Sequence, residues 1–168
     1  MRIKEAIDSL SAAITADPAK ARGKNLPATA RLVEGLKCEL RGPYNEKLFT
    51  DMPPAMGGEA AGPNPGWLLR GALASCTATV IAMRAAKLGM TLSNVEVTVE
   101  TDSDLRGLLG LDEKVPAGHV AMRMKVKISA PGQPAERLRE LVEWAEAHSP
   151  VSCTVKQKPH CSLEIEVA

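Results

Sequence analysis

Aromatic side chains are scarce in this sequence. The 168 residues include two Trp, one Tyr and one Phe. Because proteins that bind single-stranded nucleic acid stack the bases on aromatic rings, this scarcity argues against a base-stacking surface. An excess of one charge is also lacking, since the formal net charge is +1. A nearly neutral chain gives no electrostatic reason to expect nucleic acid or an anionic membrane surface as a partner.

The first residues lack the long apolar run of a secretory signal peptide. They read M-R-I-K-E-A-I-D and include two acidic side chains. We therefore expect a cytoplasmic protein. The cysteines are widely spaced, at Cys38, Cys76, Cys153 and Cys161. In a reducing compartment, cysteines with this spacing are expected to be free thiols rather than a structural disulfide framework.

An uncharged helix is the central feature of the sequence. Asn64 suits an N-cap, Pro65 the first helical position and Gly89 the left-handed residue that follows a helix. Because no charged residue occurs between Gly71 and Met83, we expect the helix to be buried on all sides. Its apolar length is shorter than the roughly 20 residues that a bilayer requires. The pattern therefore predicts the core helix of a protein that does not enter a membrane.

The other periodicities predict an α+β fold with antiparallel sheet. A helical extension and linker occupy residues 1–27, and the main domain occupies 28–168. The elements expected in the main domain are two or three strands over 28–50, a loop over 52–63, the central helix, strands near 95–100 and 122–128, a helix over 134–148, a turn over 151–157 and a last strand near 163–167. The acidic outer face of the strand near 95–100 is expected beside the basic outer face of the next.

One subunit has difficulty covering a helix that is apolar all round. The predicted sheets offer one apolar face each, and the helix carries mostly small side chains that let other backbones approach closely. We therefore expect an obligate homodimer in which the two central helices lie near the two-fold axis.

Cys76, in the middle of this helix, is the candidate nucleophile. A thiol reacts as its thiolate, which a nearby cation or a helix N-terminus favours. Cys76 lies about three turns inside its own helix, where the dipole effect has faded. Its neighbours on the helix surface carry no charge: Ala72, Leu73, Thr79 and Val80. Two interpretations stay open, a small buried hydrophobic residue or a thiol activated by another part of the fold or by a partner chain.

The sequence resembles the osmotically induced protein / organic hydroperoxide resistance family (OsmC/Ohr). The resemblance is carried by G-P-N-P before the central helix, A-S-C within it and H-S-P-V-S after the second helix. The stretch G-L-L-G-L-D-E-K-V-P-A-G is similar to a connection in some OsmC-like branches. The resemblance covers residues 28–168. It implies antiparallel sheets packed on a long buried central helix in an intertwined homodimer.

The resemblance also implies a thiol-dependent reductase of organic hydroperoxides that uses no cofactor or metal and is regenerated by a dithiol. In that family one cysteine attacks the hydroperoxide, a second resolves the product to a disulfide, and an arginine and a glutamate hold the thiolate. Cys76 matches the attacking position. Ser149 stands at the resolving position and Gly66 at the glutamate position.

Two further residues complete the expected site. The cation of the family comes from the N-terminal strands, where Lys37 is the nearest match and Arg31 and Arg41 are other cations. Cys153 follows Ser149 by four residues, which is one helical turn if the segment is helical, and is the candidate displaced resolving thiol. A disulfide to the attacking cysteine requires Cα atoms within roughly 7 Å. The alternative is an unpaired thiol in a turn.

Three functions stay open at this stage. The first is a peroxidase centred on Cys76, and the second is an OsmC-like dimer that holds a small apolar ligand at its subunit interface. The third is a hydrolase- or transferase-like use of the thiol, for which the sequence shows no base. A metal site is not expected, because the spacing of Cys153, His160 and Cys161 matches no structural zinc pattern.

Overall fold

The computed structural model describes residues 2–157 and 159–167. The helices and strands are α1 (Arg2–Ala16), β1 (Thr29–Glu34), β2 (Lys37–Arg41), β3 (Lys47–Thr50), α2 (Pro65–Lys87), β4 (Asn94–Asp102), α3 (Leu105–Leu108), β5 (Ala121–Ser129), α4 (Ala135–Ala147) and α5 (Pro150–Gln157). This order confirms the predicted α+β class. Apart from the first residues, the chain divides into two compact units, with the boundary inside α2 between Ala72 and Leu73.

The N-terminal unit contains a three-stranded antiparallel sheet in the order β1-β2-β3. Gly35 makes the turn between β1 and β2 with φ of 49°, a backbone conformation that glycine adopts without steric cost. On β2, the Glu39 carboxylate bridges Arg41 and Lys47. Every residue of β1 is exposed. Ion pairs and backbone hydrogen bonds between the strands therefore stabilise this sheet, whereas its first strand buries no side chain.

The loop after β3 is organised by the carboxylate of Asp51, which is only 3% exposed. It accepts hydrogen bonds from the backbone N–H groups of Met52 (2.8 Å), Glu59 (3.0 Å) and Ala61 (3.1 Å). These bonds, led by the one from Ala61, hold the pKa of the Asp51 carboxyl below its ordinary value. Gly58 passes so close that a Cβ would lie 2.0 Å from the Met52 carbonyl oxygen. The long loop is thus a defined turn around one buried anion.

Helix α2 begins and ends as predicted. The Asn64 side chain accepts a hydrogen bond of 2.8 Å from the Trp67 N–H, and Gly89 follows the helix with φ of 69°. Within one chain, a single stripe of the helix at four-residue spacing is buried: Leu73, Thr77, Ile81 and Ala85. The opposite side, which includes Thr79 and Met83, is exposed. Within one chain, the helix is therefore covered on one side.

The C-terminal unit holds the hydrophobic core. Its fully or nearly buried members are Ile81, Ala85, Met90, Ala130, Leu138, Leu141 and Ala145. The two-stranded sheet β4-β5 packs its inner side chains against this cluster, among them Val97 and Val126. The sheet buries alternate residues along both strands, as the sequence pattern predicts.

The outer face of the β4-β5 sheet carries the predicted charge pairs. Glu96 lies opposite Lys127 in the register, and their side chains are 2.6 Å apart. Arg123 donates two hydrogen bonds to Asp102, at 2.6 and 2.8 Å. The expected arrangement of an acidic strand beside a basic one is therefore confirmed.

Residues 150–157 form helix α5, where a turn was predicted over 151–157. The physical reason is local. Ser149 accepts a hydrogen bond from the Ser152 N–H at 3.4 Å, as an N-cap residue does, and Pro150 occupies the first helical position. Helix α4 ends at the residue before His148, as predicted. The two helices therefore follow each other almost without a break.

The last strand expected from the sequence, near 163–167, is absent from the described part of the chain. Residues 159–167 are irregular, and Leu163, Ile165 and Val167 are 84%, 73% and 90% exposed. Alternating apolar residues form a strand only where a sheet edge offers hydrogen bonds and an apolar surface to cover. The pattern alone therefore predicted a pairing that the described residues of this chain do not make.

The expectation that α2 is too short to span a membrane is also corrected. The helix has 23 residues and is apolar enough to cross a membrane by length and composition. The reason is that the apolar stretch continues on both sides of the uncharged segment, past single arginines at 70 and 84. The core helices of soluble proteins can have the same length and composition.

Candidate functional site

The thiol of Cys76 meets the start of helix α5. The Ser149 hydroxyl donates a hydrogen bond to the Cys76 sulfur, with 3.2 Å between Oγ and Sγ. Ser149 is fully buried, and Cys76 is half-buried. The serine oxygen also accepts the Ser152 N–H, so the cap of α5 and the contact to the thiol use the same side chain. The structure thus brings together the predicted attacking residue and the residue at the resolving position.

This arrangement supplies the electrostatic feature that the central helix itself does not. The N-terminus of a helix carries a partial positive charge, and its effect is strongest within the first turn. Cys76 lies far from the start of α2, yet its sulfur is adjacent to the N-cap of the eight-residue α5. The sequence signal was S-P-V-S, an N-cap serine followed by proline at the first helical position.

A polar network fixes α5 to the end of α4. The Ser152 hydroxyl donates to a Glu146 carboxylate oxygen at 2.6 Å, and the Lys156 ammonium pairs with the same oxygen. Lys156 first and Ser152 second lower the pKa of the Glu146 carboxyl below its ordinary value. Because Ser152 also donates its N–H to Ser149, this network orients the residue that contacts the thiol. Glu146, Ser152 and Lys156 were not among the site residues predicted from the sequence.

A cavity of about 290 Å³ lies in the same unit. It is lined by Leu73, Val99, Met122, Arg123, Met124, Glu146, Ser152, Val155 and Lys156. Leu73 precedes Cys76 by three residues on α2, so the two side chains are neighbours on the helix surface. The wall of the cavity has apolar side chains over most of its area and charged groups at Arg123, Glu146 and Lys156. It is therefore suited to a small molecule with an apolar body.

Cys153 lies one turn into α5, and its backbone N–H donates to the Ser149 carbonyl at 2.9 Å. Its thiol donates to the carbonyl oxygen of Ala147 at 3.2 Å. Cys76 and Cys153 are both free thiols. The structure therefore places Cys153 near the site along the chain, with its thiol bonded to backbone at the end of α4. Its role as a resolving thiol remains a prediction.

The expected cation belongs to the N-terminal unit. Lys37 lies on β2, with its ammonium 5.2 Å from the centre of the Phe49 ring. Arg31 lies on β1, and Arg41 pairs with Glu39. Gly66 occupies the first turn of α2 and carries no charge. Whether Lys37 acts on the thiol remains a prediction.

An aromatic cluster lies between α2 and α4 in the C-terminal unit. The Arg84 guanidinium stacks on the Trp144 ring at 4.2 Å, and the His148 ring stacks on Trp144 at 3.9 Å. The His148 Nδ1 atom is 2.7 Å from the Trp144 carbonyl oxygen. Such a cluster restrains α2 relative to α4, the helix that leads into Ser149. Within residues 2–157 and 159–167, no three His, Cys, Asp or Glu side chains are grouped as a metal site.

Comparison with solved structures identifies the fold. An OsmC-like protein from Mycoplasma pneumoniae superposes with a TM-score of 0.69 at 17% identity, over 80% of this chain and 89% of that one. An organic hydroperoxide resistance protein from Legionella pneumophila gives 0.58 at 20% identity, over 80% and 92%. The organic hydroperoxide resistance protein OhrB of Bacillus subtilis gives 0.53 at 19%, over 79% and 91%. At these identities the likeness shows the fold alone.

Comparison with protein families gives the relationship. No curated protein sequence matches this chain significantly. The model of the family described as OsmC-like protein matches residues 57–164, which include α2, the β4-β5 sheet, α4 and α5. Because this match covers more than half of the sequence, the chain belongs to the OsmC-like family.

Proposed function

We propose that this protein is a thiol-dependent reductase of organic hydroperoxides and that Cys76 is its attacking residue. The observation that carries the proposal is the contact of the Cys76 sulfur with the capping hydroxyl of Ser149 at the start of α5. Membership of the OsmC-like family and the fold shared with organic hydroperoxide resistance proteins support the same chemistry.

The reaction needs one sulfur and one proton. The Cys76 thiolate attacks the terminal oxygen of R–O–O–H, a sulfur–oxygen bond forms and the oxygen–oxygen bond breaks. The electron pair of the broken bond leaves with the alkoxide RO⁻, which takes up a proton and departs as the alcohol. The sulfur becomes a sulfenic acid, the first and reversible step of cysteine oxidation. Throughout, the Ser149 hydroxyl donates to the sulfur and keeps it oriented.

The cavity beside Leu73 provides room for the organic group. Its wall is largely apolar, through side chains such as Val99, Met122 and Met124. An alkyl or aryl hydroperoxide buries apolar surface there, which hydrogen peroxide cannot do. We therefore expect cumene hydroperoxide to react faster than hydrogen peroxide. Replacing Val99 with Trp, which fills the cavity, should raise KM for cumene hydroperoxide and leave the reaction with hydrogen peroxide unchanged.

Thiol titration tests the central step. The reduced protein is treated with cumene hydroperoxide, and free thiols are counted before and after. The proposal predicts that thiol is lost in the native chain and in Cys38→Ser, while Cys76→Ser loses none. Retention of all thiols at sub-millimolar hydroperoxide would reject the enzyme. Lys37→Ala, compared with Arg31→Ala, tests the predicted cation, since only the former should slow the loss.

A second candidate is a binding protein without peroxidase activity, and the cavity itself favours it. In that case a small apolar ligand would occupy the site in an OsmC-like dimer. A fluorescent apolar probe whose binding is abolished by Val99→Trp, in a protein whose thiols survive hydroperoxide, would select this function over the enzyme.

The homodimer belongs to the same proposal. One side of α2 is exposed in the single chain, at small residues such as Ser75 and Thr79, and β1 is exposed throughout. A second copy that covers the exposed side of α2 would complete its burial, as an intertwined dimer does. Light scattering at low micromolar concentration should give twice the mass of the chain, and a monomeric mass would reject the dimer.

The free cysteines fit a reducing cytoplasm.

A further inference from the structure

We infer that oxidised Cys76 is reduced by a monothiol from solution, so that the protein works with one cysteine instead of an internal pair. The inference rests on the proposed function and specifies the co-reactant that completes its cycle. Two observations support it: the group in contact with the Cys76 sulfur is a hydroxyl, and the other cysteines have hydrogen bonds or positions of their own.

The side chain in contact with the Cys76 sulfur cannot form a disulfide. Ser149 is fully buried at 3.2 Å from it, and its oxygen is already engaged as the cap of α5. A hydroxyl at this distance can stabilise a thiolate or a sulfenate by donating a hydrogen bond. It offers no sulfur to attack the sulfenic acid, so the place from which a resolving thiol would react is occupied by a redox-inert group.

Cys153 makes two hydrogen bonds with backbone carbonyl groups, one through its N–H and one through its thiol. Its N–H belongs to the first turn of α5, and its thiol donates to the Ala147 carbonyl. A disulfide brings two sulfurs to about 2.05 Å, closer than the present Ser149–Cys76 contact. To react with Cys76, the Cys153 thiol would have to give up its bond to the Ala147 carbonyl. The position in contact with the Cys76 sulfur is already taken by the Ser149 hydroxyl.

The other two cysteines lie on different parts of the chain. Cys38 is on β2 of the N-terminal unit, and Cys161 is in the exposed segment 159–167. The Cys161 thiol points to the Ser162 carbonyl. We place the external thiol in the cavity lined by Leu73, the residue one helical turn before Cys76.

The cycle then balances with two molecules of monothiol. In the first step the thiolate RS⁻ attacks the sulfur of Cys76–S–OH, a mixed disulfide Cys76–S–S–R forms, and hydroxide leaves and is protonated to water. In the second step another RS⁻ attacks the R-bearing sulfur, which gives RSSR and returns the Cys76 thiolate. Two electrons pass from two thiols to one hydroperoxide, and no second protein cysteine changes its oxidation state.

Mass spectrometry of the full chain tests the inference with glutathione as the probe. The reduced protein receives one equivalent of cumene hydroperoxide and then glutathione. We expect one added oxygen on Cys76 after the first step and one glutathionyl group on the same residue after the second. Both adducts should still form on Cys76 in Cys153→Ser, and Cys161→Ser should keep the turnover of the native chain with glutathione. A Cys76–Cys153 disulfide in the native chain would overturn the inference and leave the proposed function intact.

A gain-of-function variant provides the matched control. Ser149→Cys places a sulfur where the hydroxyl now lies, so hydroperoxide should produce a disulfide between Cys76 and the introduced thiol, and no glutathione adduct. Ser149→Ala, of similar size, should still accept glutathione on Cys76. If the sulfenic acid of the native chain forms but is reduced only by a dithiol, the inference is wrong. If Cys76 takes up no oxygen at all, the proposed function itself fails.

Discussion

The two compact units of this chain are stabilised in different ways. Within the described residues, every buried hydrophobic side chain belongs to the unit that begins at Leu73: Leu73, Ile81, Ala85, Met90, Ala130, Leu138, Leu141 and Ala145. In the unit that ends at Ala72, the buried residues are Thr50 and Asp51. One unit therefore rests on apolar burial, and the other on strand ladders, ion pairs and a carboxylate that accepts three backbone hydrogen bonds.

The difference in apolar burial shows which unit can be stable through contacts within itself. Apolar burial is the dominant favourable contribution to folding, whereas a hydrogen bond contributes about 1 kcal/mol net because water bonds are exchanged for it. A unit without a buried apolar side chain cannot offset its own conformational entropy. The N-terminal unit thus needs cover from outside itself, which is what the proposed dimer would provide. Cys76, Ser149 and the network of Glu146, Ser152 and Lys156 all lie in the unit that has a core.

The largest effect is expected from a cavity in that core. Leu141 is 3% exposed and belongs to the main cluster. Leu141→Ala should lower the free energy of unfolding by about 3 kcal/mol, because apolar contacts are lost and a cavity remains. Urea unfolding followed by circular dichroism measures this. The matched control is Leu163→Ala, an equal truncation in the exposed segment, which should change stability by less than about 0.5 kcal/mol. Equal effects of the two would contradict the comparison.

A change at Asp51 should affect the other unit alone. Asp51→Ala removes the acceptor of three backbone N–H groups. We expect amide exchange at Glu59 and Ala61 to rise on the order of tenfold, since both lose their partner in the folded state. Amides of the β4-β5 sheet should keep their protection. Asp51→Asn, which retains the shape and one acceptor oxygen, should give an intermediate result. Uniform loss of protection across both units would contradict the division.

The same comparison explains what the sequence could predict. Capping residues and an uncharged run predicted α2. Periodicity predicted α4 and the β4-β5 sheet, because a covered face leaves a regular apolar pattern in the sequence. The prediction of a strand near 163–167 was wrong. An alternating pattern shows which side chains favour burial, but it does not show which sheet edge the strand would pair with. The burial of α2 on all sides stays a prediction, since a single chain covers one stripe of the helix.

The site was predicted in part. The position of Cys76 followed from the resemblance, but its contact with Ser149 depends on how α5 follows α4, and local propensity assigned that segment to a turn. Glu146, Ser152 and Lys156 were missed, because they are close only through the helical spacing of α5 and the abrupt end of α4. The burial of Asp51 was missed, because the sequence around it does not distinguish it from a solvent-exposed loop residue.

Acidification should have a smaller effect on the free energy of unfolding, through the carboxyl group of Glu146. The pKa of Glu146 is lowered by Lys156 and Ser152, so its stabilising contribution is complete above the ordinary value of 4.5 and is lost as the pH falls through the lower value of the folded protein. Because the side chain is about one-third exposed, the contribution should stay below about 1 kcal/mol. Comparing the pH dependence of unfolding in the native chain and in Glu146→Gln isolates it. The variant should lose less stability than the native chain between neutral and acidic pH. A steeper loss in the variant would contradict this assignment.

The smallest effect should be a gain of stability within the core-bearing unit. Thr77 is fully buried on the covered stripe of α2, and its hydroxyl has no hydrogen-bond partner among the described residues. Thr77→Val keeps the shape and removes the cost of the unpaired group, so the free energy of unfolding should rise by about 0.5 kcal/mol. Thr79→Val, on the exposed side of the helix, is the control and should show no gain. A loss of stability in Thr77→Val would mean that the hydroxyl is paired in the assembled protein, and the covered stripe of α2 would then not be purely a packing surface.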